Sequence, residues 1–192
     1  MKKFGFTLTE VIISLGVIGV IVATTIPAVM TNYQNRLNVT ALHKVYNDID
    51  SSITKYMTDQ RVEDLRETPI RANLALFAGG YFEISTNCEK NMYSTSGCFA
   101  QTYGKLDGTE INKASSQCDF VFTTKSGYAV CLNAGNSASE VLKIEVDVNG
   151  LQKPNILGRD YFDDIKVNND GKLYSNSGYF HNILDANWKM NY

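Results

Sequence analysis

Two hydrophobic patterns follow each other in the first third of the chain. From Val11 to Met30 every side chain is uncharged and most are apolar, and the uncharged stretch continues to Asn35. At 1.5 Å per residue, a helix of about 20 residues spans roughly 30 Å, the thickness of the hydrocarbon core of a bilayer. This stretch therefore predicts a helix that is long enough to cross a membrane.

Beyond Arg36 the pattern becomes amphipathic. Apolar residues recur every four positions, at Leu37, Ala41, Val45, Ile49 and Ile53. This spacing places them on one face of a helix. We expect one long helix from about Phe6 to Met57, bent near Pro27 because proline removes a helical hydrogen bond. Its second half should pack on a sheet.

Strand patterns concentrate in the C-terminal half. The runs 119–123, 128–132 and 141–147 are rich in β-branched and aromatic residues and are separated by turn signals. They predict an antiparallel meander, followed by shorter candidates such as 172–174. Residues 79–116 are rich in Gly, Ser, Thr and Asn, which indicates irregular loops with small elements. The expected fold class is α+β.

One acidic residue lies at the N-terminal boundary of the apolar run. Glu10 is the only charged side chain between Lys3 and Arg36. A charged side chain inside a bilayer costs roughly 2.5 to 3.5 kcal/mol or more unless it is paired. Glu10 is therefore a functional candidate that needs a partner.

Two simpler interpretations also account for parts of this N-terminus. A cleaved secretory signal peptide is disfavoured because the apolar run is longer than a typical signal core, and because an acid at its start is out of place there. An uncleaved signal anchor explains the span but leaves Glu10 without a partner.

A family resemblance rests on the first ten residues and the apolar run. A short basic leader precedes Gly5 and Phe6, and Glu10 follows four positions after Phe6. This combination resembles the class III signal of type IV pilins and type II secretion pseudopilins. The resemblance covers about the first 35 residues and implies a pilin-like fold for the whole chain.

The resemblance implies processing and assembly. A prepilin peptidase would cut between Gly5 and Phe6 on the cytoplasmic side and methylate the new amine of Phe6, while the apolar helix is retained. Phe6 and Glu10 would lie one helical turn apart. The amine of one subunit would then pair with Glu10 of a neighbour and set the axial register, while lateral burial of the helices supplies most of the affinity.

The expected organisation has four parts: a leader 1–5, a transmembrane and assembly helix 6–35, its amphipathic half 36–57, and an exported α+β domain 58–192. The basic start favours a cytoplasmic N-terminus. The chain would cross the bacterial inner membrane once before it joins a periplasmic or cell-surface filament. The implied partners are the prepilin peptidase, other pilin or pseudopilin subunits, an inner-membrane assembly platform and, before assembly, membrane lipid.

The four cysteines all follow the apolar run. An exported location permits disulfides, and four cysteines allow three pairings. We expect Cys118 to pair with Cys131, because a hairpin would bring these strand positions opposite each other, and Cys88 to pair with Cys98. A zinc site is the alternative, but the spacing contains no C-x-x-C pair and no nearby histidine completes a set.

Charge and cofactor signals are weak. The net charge is −2, and no basic stripe with interleaved aromatics favours nucleic-acid binding. The segment 147–160 offers Asp147, Asn149 and Asp160 as oxygen ligands for Ca²⁺. We favour instead a turn in which Asp and Asn side chains bond to nearby backbone groups, because the ligand series of an EF-hand loop is missing. No other cofactor is expected.

These observations favour a structural subunit over an enzyme, since no catalytic set is evident. A surface pilus subunit, a minor pilin and a secretion pseudopilin share all of these features. The alternative is a membrane-anchored, adhesin-like binding domain that never polymerises. Such a domain needs the apolar span but neither the peptidase site nor Glu10.

Overall fold

The structure is a computed structural model that describes Gly5 and residues 7–91, 97–113 and 117–190, including all side chains there except those of Ala28, Glu89 and Asn91. By its internal contacts the chain divides into two compact units, Met1–Leu37 and Asn38–Tyr192. Helix α1 runs from Leu8 to Gln60 and continues through Pro27. The bend expected at Pro27 stays a prediction.

The remaining elements all belong to the second unit. A 3₁₀ turn at Leu65–Glu67 and helix α2 (Leu74–Tyr81) precede the strands, and helix α3 (Tyr179–Asp185) follows them. The strands are β1 (Ile84–Asn91), β2 (Thr102–Gly104), β3 (Glu110–Asn112), β4 (Gln117–Thr124), β5 (Ala129–Ala134), β6 (Leu142–Asp147), β7 (Tyr161–Val167) and β8 (Leu173–Tyr174).

The main sheet has six antiparallel strands in the order β1-β4-β5-β6-β7-β8. β2 and β3 form a separate hairpin. The predicted meander corresponds to β4, β5 and β6, and the candidate at 172–174 corresponds to β8. The α+β class is therefore confirmed.

The second half of α1 packs on one face of this sheet. Leu42, Val45, Ile49 and Ile53 are at most 1% exposed and share a core with strand residues such as Phe122. Burying a side chain of this size contributes about 1.5–3 kcal/mol relative to leaving it in water. Leu37, which the pattern assigned to the same stripe, is instead 50% exposed and lies in the first unit.

A smaller core covers the opposite face. The segment 97–113, which carries the β2–β3 hairpin, contributes Cys98, Phe99 and Tyr103, and the sheet contributes Val121 and Tyr161. The rings of Tyr103 and Tyr161 stack with their centroids 4.2 Å apart. Because both faces are covered, β5 is buried over Ala129–Leu132 without the alternation of a one-sided strand.

Four elements were not predicted, and their sequences explain why. β1 is an edge strand of mainly polar residues whose pairing with β4 shifts register three times. β7 carries Asp163 and Asp164 in its middle. α2 includes Gly79 and Gly80, which indicate a loop by composition, and α3 is only 7 residues long.

Candidate functional site

Glu10 lies in the first turn of α1, where its side chain bonds to Thr7. Oε2 of Glu10 accepts hydrogen bonds from the backbone N of Thr7 at 2.8 Å and from its Oγ1 at 2.9 Å. In return, the backbone N of Glu10 donates to Oγ1 of Thr7 at 3.2 Å. This reciprocal arrangement is a capping box, which satisfies backbone donors that the first turn of a helix leaves unpaired.

Thr7 is a residue that the sequence reasoning missed. The signal was present, because Thr-x-x-Glu directly before an apolar run is the sequence pattern of a capping box. The sequence predicted only the amine of a neighbouring subunit as the partner of this carboxylate. Thr7 supplies two donors to it.

Gly5 immediately precedes this site. It is exposed, and among the residues that the structure describes no heavy atom beyond its chain neighbours lies within 4 Å of the position that a Cβ would take. Its backbone does not adopt the positive φ that favours glycine. The fold therefore does not require glycine at position 5. Phe6, the other half of the predicted cleavage site, lies outside the described residues.

Large apolar side chains are exposed throughout the described part of the first unit. Their exposed fractions run from 43% at Val11 and Val22 to 77% at Leu8. The set comprises Leu8, Val11, Ile12, Ile13, Leu15, Val17, Ile18, Val20, Ile21, Val22, Ile26, Val29, Met30, Tyr33 and Leu37. A continuous apolar surface of this extent is typical of a segment that lipid or another protein covers.

By length and composition, α1 is able to cross a membrane. Its most apolar window has a mean hydropathy of 2.3, and none of that window is buried. The absence of burial distinguishes it from the core helix of a globular domain. A signal sequence near an N-terminus has the same composition.

Both expected disulfides are present. Cys88 pairs with Cys98 and Cys118 pairs with Cys131, with Cα–Cα separations of 6.2 and 5.9 Å. The first ties the covering segment 97–113 to edge strand β1, and the second joins β4 to β5. Disulfides of this kind are typical of proteins in oxidising compartments.

The reason given for the second pairing was wrong. Cys131 lies opposite Val121 in the β4–β5 ladder, whose last pair is Phe120 with Leu132. Beyond it, the side chain of Asp119 accepts from the backbone N of Ala134, and Asn133 Oδ1 accepts from the backbone N of Asp119. Cys118 therefore reaches Cys131 from outside the regular register.

In the candidate calcium segment, both carboxylates are engaged by donors of the chain. Asp160 accepts from the backbone N of Asn155 at 2.7 Å and of Ile156 at 2.6 Å, and from Nδ2 of Asn149 at 3.3 Å. Asp147 accepts from the hydroxyl of Tyr103 at 2.5 Å and from the backbone N of Asn149 at 3.2 Å. Most of these are local contacts of the kind that the sequence analysis favoured.

Burial dominates the electrostatics of this segment. It raises the pKa of Asp147 well above its ordinary value, and the nearby charge of Asp160 adds to the effect. Burial also raises the pKa of Asp160, against the hydrogen bonds from Ile156 and Asn155. Within residues 7–91, 97–113 and 117–190, no three His, Cys, Asp or Glu side chains are grouped to hold a metal ion.

No protein-family model, no curated protein and no solved structure matches this chain.

Proposed function

We propose that this chain is a structural subunit of a type IV pilus-like or type II secretion pseudopilus filament. A prepilin peptidase cleaves it between Gly5 and Phe6 and methylates the amine of Phe6. The N-terminal part of α1 then assembles with the same helix of other subunits. One observation carries this proposal: an apolar helical segment that is exposed along its length, with a single carboxylate in its first turn.

Two environments in succession cover the apolar surface. Before assembly, lipid of the inner membrane surrounds the segment, since the exposed side chains match a bilayer core in composition and length. During assembly the helices leave the lipid and pack against one another. Close packing between helices supplies the attraction, because lipid tails are as apolar as the side chains and provide no hydrophobic driving force.

Glu10 sets the axial alignment of neighbouring subunits. Cleavage places a cationic amine at Phe6, one helical turn before the carboxylate. The amine of one subunit pairs with Glu10 of its neighbour in the apolar centre of the filament, where an unpaired charge is strongly unfavourable. Only one axial register brings these two groups together, so the pair selects that register.

The surroundings of Gly5 support the proposed cleavage by a prepilin peptidase. The fold has room for a side chain at this position and imposes no left-handed backbone there. A requirement for glycine would therefore come from the peptidase and not from the structure. The two disulfides fit export of residues 58–192 into an oxidising compartment, with an inner-membrane platform driving assembly.

The test is expression of the chain with and without a prepilin peptidase. We expect cleavage after Gly5 only when the peptidase is present, and the cleaved chain in the sheared filament fraction. Gly5→Leu should abolish cleavage while it leaves both disulfides formed. An intact N-terminus together with a solitary membrane-bound protein would contradict the proposal and favour the adhesin-like anchored domain.

A further inference from the structure

The hydrogen bonds around Glu10 bear on what the carboxylate does before assembly. Both donors of Thr7 converge on Oε2 of Glu10, and the hydroxyl of Thr7 also accepts from the backbone N of Glu10. The threonine hydroxyl is thus donor and acceptor at once. Among the described residues, only Thr7 makes a hydrogen bond with this side chain.

The charge state of the neighbouring nitrogen changes on cleavage. In the uncleaved chain the nitrogen of Phe6 belongs to a peptide bond and carries no charge. After the cut it becomes a cationic amine, which can form an ion pair with the carboxylate, whereas Thr7 offers only uncharged donors. The preferred partner of Glu10 therefore differs between the precursor and the mature subunit.

We propose that Thr7 holds Glu10 in the uncleaved, membrane-inserted subunit and gives it up to the amine of a neighbour on assembly. The inference rests on the proposed function and adds a positioning residue to it. The capping box lets the carboxylate enter the bilayer with two hydrogen bonds already made. Because it offers no cation, it holds the carboxylate less strongly than the amine does once cleavage has occurred. Assembly is thereby tied to cleavage.

Two substitutions separate the hydroxyl from the shape of the side chain. Thr7→Val keeps the branched shape and removes the hydroxyl, while Thr7→Ser keeps the hydroxyl. The full-length precursor is placed in lipid nanodiscs without peptidase, and hydrogen exchange of the Glu10 amide is followed by NMR. We expect exchange in Thr7→Val to be about fivefold faster than in the wild type, the size of effect typical for loss of a helix cap. Thr7→Ser should match the wild type.

The second readout is assembly in cells that contain the peptidase. Thr7→Val should be cleaved and should enter filaments at least as well as the wild type, because the hydroxyl is not needed once the amine has replaced it. Equal exchange rates in all three precursors would overturn the inference. A filament defect in Thr7→Val as severe as that of Glu10→Ala would also overturn it, because Thr7 would then act in the assembled state.

The two proposals fail in different ways. If the wild-type chain is never cleaved, the proposed function fails whatever Thr7 does. If the wild type is cleaved and Glu10→Ala fails to assemble while Thr7→Val exchanges normally, the filament function stands and only the role of Thr7 is lost.

Discussion

At the residue scale, the proposed function depends most directly on Glu10. We expect Glu10→Ala to insert into the membrane and to be cleaved, since neither step uses the carboxylate. Its incorporation into sheared filaments should fall at least about tenfold, because the neighbour's amine would be left buried without a partner, a loss typically worth about 3–5 kcal/mol.

A matched control removes a carboxylate elsewhere. Glu63 is exposed in the second unit, so Glu63→Ala should assemble normally. Filament amounts are compared by quantitative immunoblot of sheared fractions, with cleavage checked by intact mass. Normal assembly of Glu10→Ala would contradict the proposed pairing of Glu10 with the amine of a neighbouring subunit.

The cleavage between Gly5 and Phe6 and the pairing of Glu10 stay predictions from the sequence. Gly5, Phe6 and Glu10 can be recognised from the sequence because they form a local pattern. This pattern does not depend on contacts with distant parts of the chain. The capping role of Thr7 is equally local and was readable from Thr-x-x-Glu. It was not predicted, because only a group of opposite charge was expected as the partner of Glu10.

At the element scale, α1 combines two segments with different surroundings. Ile49 is fully buried against the sheet, whereas Leu37 is half exposed in the first unit. Ile49→Ala should lower the free energy of unfolding of the second unit by about 2–5 kcal/mol, as expected for a cavity in a packed core.

Leu37→Ala is the matched control. It should leave that free energy within about 0.5 kcal/mol of the wild-type value, as is usual for surface positions. Urea unfolding of the full chain in detergent, followed by near-UV circular dichroism, measures both. Similar losses for the two variants would show that this division of α1 is wrong.

The strands show which elements can be read from sequence. β4, β5 and β6 lie in the interior of the sheet and carry dense β-branched and aromatic residues, so their pattern is strong. β1 pairs on one side only and is largely polar, and β7 interrupts its apolar pattern with Asp163 and Asp164. The side chain of Asp164 bonds to the first turn of α3, accepting from the backbone N of Phe180 at 3.0 Å. Such a role becomes visible only when distant segments meet.

At the scale of the whole molecule, two buried carboxyl groups and one half-buried carboxyl group couple stability to pH. Burial raises the pKa of Asp147, Asp160 and Asp164 above the ordinary value of 3.8. A raised folded-state pKa means that the folded chain binds more protons than the unfolded chain. The stabilisation that these three groups contribute is therefore fully present below about pH 4. It is lost as the pH rises through their folded-state pKa values. Asp64 has the opposite effect on stability, because hydrogen bonds from Arg66 lower its pKa to about 2. The change in stability that its titration causes therefore occurs at lower pH.

We therefore expect the second unit to become less stable as the pH rises from about 4 toward neutral. Asp147→Asn keeps an acceptor for the hydroxyl of Tyr103 and removes one titrating group, so it should flatten this dependence. Thermal unfolding of the full chain across this pH range measures the slope. A stability that rises with pH, or a slope unchanged by Asp147→Asn, would contradict the assignment.

The central claim is that Glu10 of one subunit meets the amino terminus of another. Filaments assembled from mixed ¹⁴N- and ¹⁵N-labelled subunits, treated with a zero-length carbodiimide cross-linker, test it by mass spectrometry of the linked peptides. The account predicts an amide between the Phe6 nitrogen and the Glu10 side chain, with one ¹⁴N and one ¹⁵N partner. Well-formed filaments in which Phe6 links only to Glu10 of its own chain, or to other carboxylates, would contradict it.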